Sequence, residues 1–191
     1  MLQEKKTHGT ANVPWLLPLP MFAIRKETPD DYILIRELNR LAFGGAAEAK
    51  LVDRLRQDGS VIVSLLAEEQ NRVIGHILFS ELPIDTAGGM LRGAALAPMA
   101  VLPERQRQGV GSALVRAGLD RCCEKGIGVV VVVGHPDYYP RFGFSTGSAV
   151  GLRSPYSGNA FMALDLRPGL REEIVGTVKY PAAFAELDSG A

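Results

Sequence analysis

The chain has 191 residues, of which 47% are hydrophobic and 22% charged, and its 21 Lys and Arg are matched by 21 Asp and Glu. That composition fits one folded domain and excludes a disordered chain. The zero formal charge excludes a global field that would gather nucleic acid or an acidic membrane, although a few backbone amides and one or two arginines can still hold a phosphate-bearing cofactor. Cys122 and Cys123 are neighbours in a helical stretch, so they cannot close a loop as a structural disulfide. His8, His76 and His135 are far apart, so no metal site is expected, and the reducing cytoplasm is the expected compartment. No apolar run nears the roughly 20 residues of a membrane span.

Residues 1–20 carry Pro14, Pro18 and Pro20 among short apolar stretches, which predicts an extension outside the core. The domain proper is expected over 21–168, with 169–191 as a tail packed on it or trailing from it. Phe22 to Arg25 reads as a first strand. Thr28-Pro29-Asp30-Asp31 is a helix start: Thr as cap, Pro in the first turn, then acids. Leu34, Ile35, Leu38, Leu41 and Ala42 recur at helical spacing up to Gly44-Gly45, and a second helix carries Ala47, Leu51, Val52 and Leu55. Val61 to Ala67 and Val73 to Ser80 read as strands joined by a turn at Gln70-Asn71, and Leu91 to Leu102 as a third long strand. From Gly109 to Lys125 one helical face is apolar, and Gly126 supplies a left-handed stop. The five valines 129–133 read as a strand buried on both faces. Strand, helix and buried strand form a βαβ crossover. A short helix through Tyr138-Tyr139 and strands near Ala149–Leu152 and Phe161–Leu166 follow. The class is α+β, layered αβα, with a mixed, mostly antiparallel sheet and one parallel crossover.

The turn between Leu102 and the long helix reads Pro103-Glu104-Arg105-Gln106-Arg107-Gln108-Gly109-Val110-Gly111-Ser112. Glycines there let backbone amides approach an anion, helped by the positive end of the helix dipole. It is no Walker loop, since no Gly-Lys-Ser/Thr follows, and Leu114 stands where a dinucleotide fingerprint needs Gly or Ala. A plain tight turn is the bland reading of the glycines alone.

Gln-x-x-Gly-x-Gly after a Met-Ala-Val-Leu-Pro strand resembles the central motif of the GNAT acetyltransferase superfamily. Tyr138-Tyr139-Pro140-Arg141-Phe142-Gly143-Phe144 resembles its second signature, an aromatic four residues before Gly-Phe, and the element order agrees from about Phe22 to Leu166. The resemblance implies that the amides of Gln106, Arg107, Gln108, Gly109, Val110, Gly111 and Ser112 hold the pyrophosphate of acetyl-coenzyme A. It implies that Met99, Ala100 and Val101 pair with the pantetheine amides, and that Arg107 or Arg105 adds charge. It also implies that Tyr139 presents its phenol to the sulfur of the leaving group. Tyr139 as core packing, with Tyr138 exposed, is the alternative.

Acyl transfer from a thioester needs a neutral amine, a stabilised oxyanion and a proton for the thiolate. His135, beyond the C-terminal end of the valine strand, is the first candidate base, because ligands gather at that end of α/β crossovers and imidazole ordinarily titrates near pH 6.5. Glu81 is the next candidate, whereas His76 reads as packing. The expected partner is an amine on a small molecule or peptide, from loops at Phe43–Glu48 and Arg153–Asn159, with no nucleic acid or membrane and with room for a homodimer. A non-catalytic acyl-coenzyme A sensor, or an enzyme using a longer acyl chain, would share the same motifs.

Overall fold

A computed structural model describes residues 22–167 and 174–185. The expected extension over 1–20 lies outside the described residues, as do 168–173 and 186–191 of the tail. Strand β1 (Ala23–Lys26) enters helix α1 (Tyr32–Phe43) through a 3-10 turn at Pro29–Asp31. Asp31 fixes that entry. Its carboxylate accepts from the Thr28 N–H at 2.7 Å and from the Arg25 guanidinium at 2.7 and 2.8 Å. Arg25 holds the carboxyl well below the usual carboxylate range. Gly44 ends α1 in the left-handed conformation, φ +73°, and α2 (Ala47–Gln57) follows.

Strands β2 (Val61–Glu69) and β3 (Arg72–Glu81) form a long hairpin over Gln70 and Asn71, both at positive φ as a two-residue hairpin turn requires. The stretch read as one strand from Leu91 is broken. Short strands β4 (Ile84–Thr86) and β5 (Gly89–Leu91) belong to a second sheet, and β6 (Gly93–Val101) returns to the main one. Helix α3 (Val110–Glu124) then leads to β7 (Val129–Val133). After β8 (Leu152–Arg153), β9 (Phe161–Asp165) and β10 (Gly176–Val178), the main sheet runs β1-β2-β3-β6-β7-β9. Its strand pairs are antiparallel except β6 with β7, the partners of the expected crossover. The second sheet, β5-β4-β10-β8, fastens residues 176–178 back onto the domain. Tyr139–Phe142 is a 3-10 turn where a short helix was expected, and Gly143 ends it in the left-handed conformation, φ +93°.

Helix α3 lies against the sheet face that carries Gly75 and Phe79, where Gly75 leaves room for Leu114 and Val110. The other face meets α1 and holds a polar chain inside the core. His76 is fully buried, with Nδ1 3.4 Å from the Asn39 amide and Nε2 3.0 Å from the Ser64 hydroxyl. Asn39 Nδ2 also donates to the Ile35 carbonyl, so Nδ1 accepts and Nε2–H donates to Ser64 Oγ. Ser64 then donates to Glu27 at 2.5 Å, and Arg56 clamps Glu27 at 2.7 Å.

Burial, with the Arg56 charge nearby, holds the His76 imidazole down at about 3, far below the ordinary 6.5. The unfolded chain therefore carries one more proton here between pH 6.5 and 3. The stability is complete above 6.5 and falls as pH drops through that window, by about 1.4 kcal/mol per pH unit. From pH 7 to 5, the wild-type protein should lose about 2 kcal/mol more than a His76→Gln variant in urea unfolding. Equal losses would show that His76 titrates normally.

Candidate active site

Pairing between β6 and β7 covers Gly93 to Ala95 against Val129 to Val131 and stops there. Beyond it, β6 pairs only with β3, Met99 opposite Ile77, Ala100 opposite His76 and Val101 opposite Gly75. One extra residue of β6 lies between Leu96 and Met99, a bulge holding the cis Ala97-Pro98 bond. Bulges bend a strand and increase its twist, so β6 turns away where its contact with β7 ends. The sheet forks. The β7-facing edge of Met99, Ala100 and Val101 has no strand opposite it among the described residues, and apart from the Val101 carbonyl, which accepts from the Gln106 side chain, its backbone groups can take an extended ligand in strand fashion.

A 3-10 turn at Pro103–Arg105 follows, then Gln106, then Arg107 at φ +60° and Gly109 at φ +86° as the cap of α3. That cap has no side chain, and the first helical bond runs from Ala113 N–H to the Gly109 carbonyl. The amides of Val110, Gly111 and Ser112 thus precede the intrahelical ladder, as the first turn of any helix requires. Gln106 Nε2 donates to the Val101 carbonyl at 3.2 Å and Gln108 Nε2 to the Glu104 carbonyl at 2.9 Å, which fixes the loop. Of the two arginines considered for phosphate charge, Arg105 is engaged by Glu69 at 2.6 Å. Arg107 is exposed and has no ion pair among the described residues, so it carries the loop's available charge.

Tyr139 is only 7% exposed. Its ring covers Gly134, just past β7, where any side chain would collide with it, and it meets Phe144 edge-on at 5.7 Å. Burial pushes its phenol far above the ordinary value. Tyr138 stands at right angles to it, centroids 5.1 Å apart, and directs its hydroxyl toward α3: a Cβ at Gly111 would lie 2.8 Å from that oxygen and 3.6 Å from Met99 Sδ. The structure therefore brings Tyr138, Gly111 and Met99 together at one end of the fork and places Tyr139 at the end of β7. His135 is exposed, and its carbonyl accepts from the Tyr138 N–H at 3.0 Å. Glu81 is exposed at the end of β3. His76 belongs to the core.

A cavity of about 200 Å³ opens at the fork. Ala95 to Ala97 and Val131 to Val133 line one side, and Tyr156, Tyr180 and Phe184 the other. Tyr156 comes from the expected Arg153–Asn159 loop, whereas the Phe43–Glu48 loop contributes nothing to this lining. Tyr180 and Phe184 escape a sequence reading, because a three-residue strand and a 3-10 turn leave no period to detect. The fork itself had a visible signal: Pro98 inside a strand pattern points to a bulge.

A sequence model described as the acetyltransferase (GNAT) domain matches residues 23–147. The chain is 38% identical over 164 residues to the uncharacterised N-acetyltransferase YhbS of Escherichia coli K12, covering 84% of this chain and 97% of that one. It is similar to a crystal structure of the Escherichia coli YhbS protein in complex with coenzyme A, with TM-score 0.79 and 36% identity over 93% of this chain and 96% of that one. A Brucella melitensis GNAT family acetyltransferase in complex with acetyl-coenzyme A is likewise similar, with TM-score 0.72 and 35% identity over 85% and 97% of the two chains. With the motif loop, the forked sheet and a family match over more than half its length, the chain belongs to the GNAT acetyltransferase family.

Proposed function

We propose that this protein moves the acetyl group of acetyl-coenzyme A to a primary amine of a small molecule or peptide, by direct attack while both substrates are bound. The fork carries this reading. It offers a strand edge at Met99–Val101 with no partner strand on the β7 side among the described residues, leading to a helix start whose amides have no side-chain cap. Related proteins of the same fold bind coenzyme A and acetyl-coenzyme A. The residues fit such a ligand: Gln106 to Ser112 would surround the pyrophosphate, with Arg107 adding charge, and the β6 edge would pair with the pantetheine amides. The cofactor supplies an activated thioester.

The chain's own groups then act on protons. The Tyr139 phenol, kept protonated by its burial, donates a hydrogen bond to the departing sulfur. Among the described residues no carboxylate or imidazole lines the cavity. An amine entering apolar surroundings favours its neutral form, and the exposed His135 imidazole is the proposed receiver of its proton on the way to solvent.

Calorimetric titration with acetyl-coenzyme A tests the loop. Gly109→Asp places a negative charge where the pyrophosphate would lie and should weaken binding more than tenfold, about 1.4 kcal/mol. Gly109→Ala has the same unfavourable positive φ without the charge and should weaken it less. Wild-type affinity in a folded Gly109→Asp variant would remove this loop as the site. Thiol release with a panel of amines separates an enzyme from a sensor.

A further inference from the structure

The cavity at the fork has a definite size and chemistry. An apolar cavity of about 150 Å³ admits a benzene ring, so the about 200 Å³ here holds a ring with two or three further heavy atoms. Among the described residues no charged side chain lines it. A carboxylate or a second ammonium carried into it would be stripped of water without a counter-charge, which disfavours amino acids and polyamines. Its aromatic wall is packed edge-on, with Tyr156 and Tyr180 centroids 5.0 Å apart at 88° and Tyr180 and Phe184 also at 5.0 Å. The two phenols differ. The Tyr156 hydroxyl donates to the Phe184 carbonyl at 3.4 Å. The Tyr180 hydroxyl is buried and makes no hydrogen bond of ordinary geometry among the described residues, although the Ser154 side chain is near enough to act on it. Burial pushes the Tyr180 phenol up to about 12, so it keeps its proton at neutral pH. A buried polar group left unpaired is costly, and a ligand that satisfies it gains accordingly.

We propose that this cavity is the acceptor subsite and that the acceptor is an arylalkylamine: a primary amine on a short chain ending in one neutral ring with a polar substituent that pairs with Tyr180. The proposal rests on the acetyl-coenzyme A reading above. The ring would sit against Tyr156, Tyr180 and Phe184, leaving the amine at the fork, where β6 and β7 part.

Two readouts keep the proposal and that reading apart. The first is direct binding of tyramine to the cofactor-free full chain, followed by NMR. The second is thiol release with tyramine, 2-phenylethylamine, spermidine and a peptide with a free amino terminus. Tyramine should bind without cofactor, and its kcat/KM should exceed those of spermidine and the peptide by at least ~100-fold. Tyr180→Phe should cut the preference for tyramine over 2-phenylethylamine by about tenfold. Val133→Phe, at the half-exposed lip, should weaken tyramine binding by about tenfold or more while acetyl-coenzyme A affinity stays within about threefold. Tyramine binding that Val133→Phe removes, in a protein that does not bind acetyl-coenzyme A, would uphold the cavity's ligand and sink the cofactor reading. Acetyl-coenzyme A binding without tyramine binding, or a preference for spermidine or the peptide, overturns the proposal. So does a gain in affinity for hexanoyl-coenzyme A over acetyl-coenzyme A that Val133→Phe abolishes, since the cavity would then hold the acyl chain.

Discussion

Tyr139→Phe should lower kcat by roughly 10²–10⁴ and leave KM for both substrates nearly unchanged. The ring is held by its cover over Gly134 and its edge contacts with Tyr138 and Phe144, all of which phenylalanine retains. Only the hydroxyl is lost, so the fold and cofactor affinity should persist. The raised phenol pKa defines the role more closely. A thiol ordinarily ionises near 8.5, so full proton transfer from a weaker acid to the thiolate is uphill, and in the proposed role the phenol would act chiefly by hydrogen-bonding charge that develops in the transition state. Tyr138→Phe is the informative control. Its hydroxyl faces Gly111 and Met99, so its loss should appear as weaker cofactor binding with much less effect on kcat. Turnover by Tyr139→Phe within threefold of wild type would leave Tyr139 as packing.

Gly118→Val should destabilise the fold by about 3 kcal/mol or more, at or beyond the upper end of ordinary overpacking. A Cβ at position 118 would fall on the Phe79 ring, which is fully buried at the interface of α3 with β3. The helix must lift or the ring must leave its rotamer, and either change propagates to the start of α3. The corresponding drop in Tm is about 6–12 °C for a chain of this size. Phe79→Ala removes the obstacle, so the double variant should be at least about 1 kcal/mol more stable than the two single losses predict. Additive losses in urea unfolding would mean that the contact is not the cause.

The long periodic segments were readable from the residues alone. The apolar, β-branched runs of β2 and β3, the apolar face of α3 and the five valines of β7 are each long enough to outweigh local noise. The loop from Gln106 to Ser112 was readable because its residues are consecutive, and its two left-handed positions coincide with Arg107 and Gly109. What required coordinates was assembled from distant segments. His76, Ser64, Asn39, Glu27 and Arg56 come from five separate elements or turns, and nothing in any one of them announces a buried polar chain. The second sheet was hidden for another reason: its strands are two or three residues long, below the length at which alternation can be recognised. The sequence left open whether Tyr139 or Tyr138 packs inward, because the 3-10 turn Tyr139–Phe142 decides it.

The late position of the cavity's aromatic wall bears on how such a protein could change over generations. The loop assigned to the cofactor is one continuous stretch, Met99 to Ser112, whereas Tyr156 comes from the loop between β8 and β9, and Tyr180 and Phe184 follow β10. Drift in those later segments can reshape the wall without moving a peptide group of the loop. With the cavity taking the acceptor and the loop the donor, as proposed, copies of an ancestral gene can diverge in the first while inheriting the second intact.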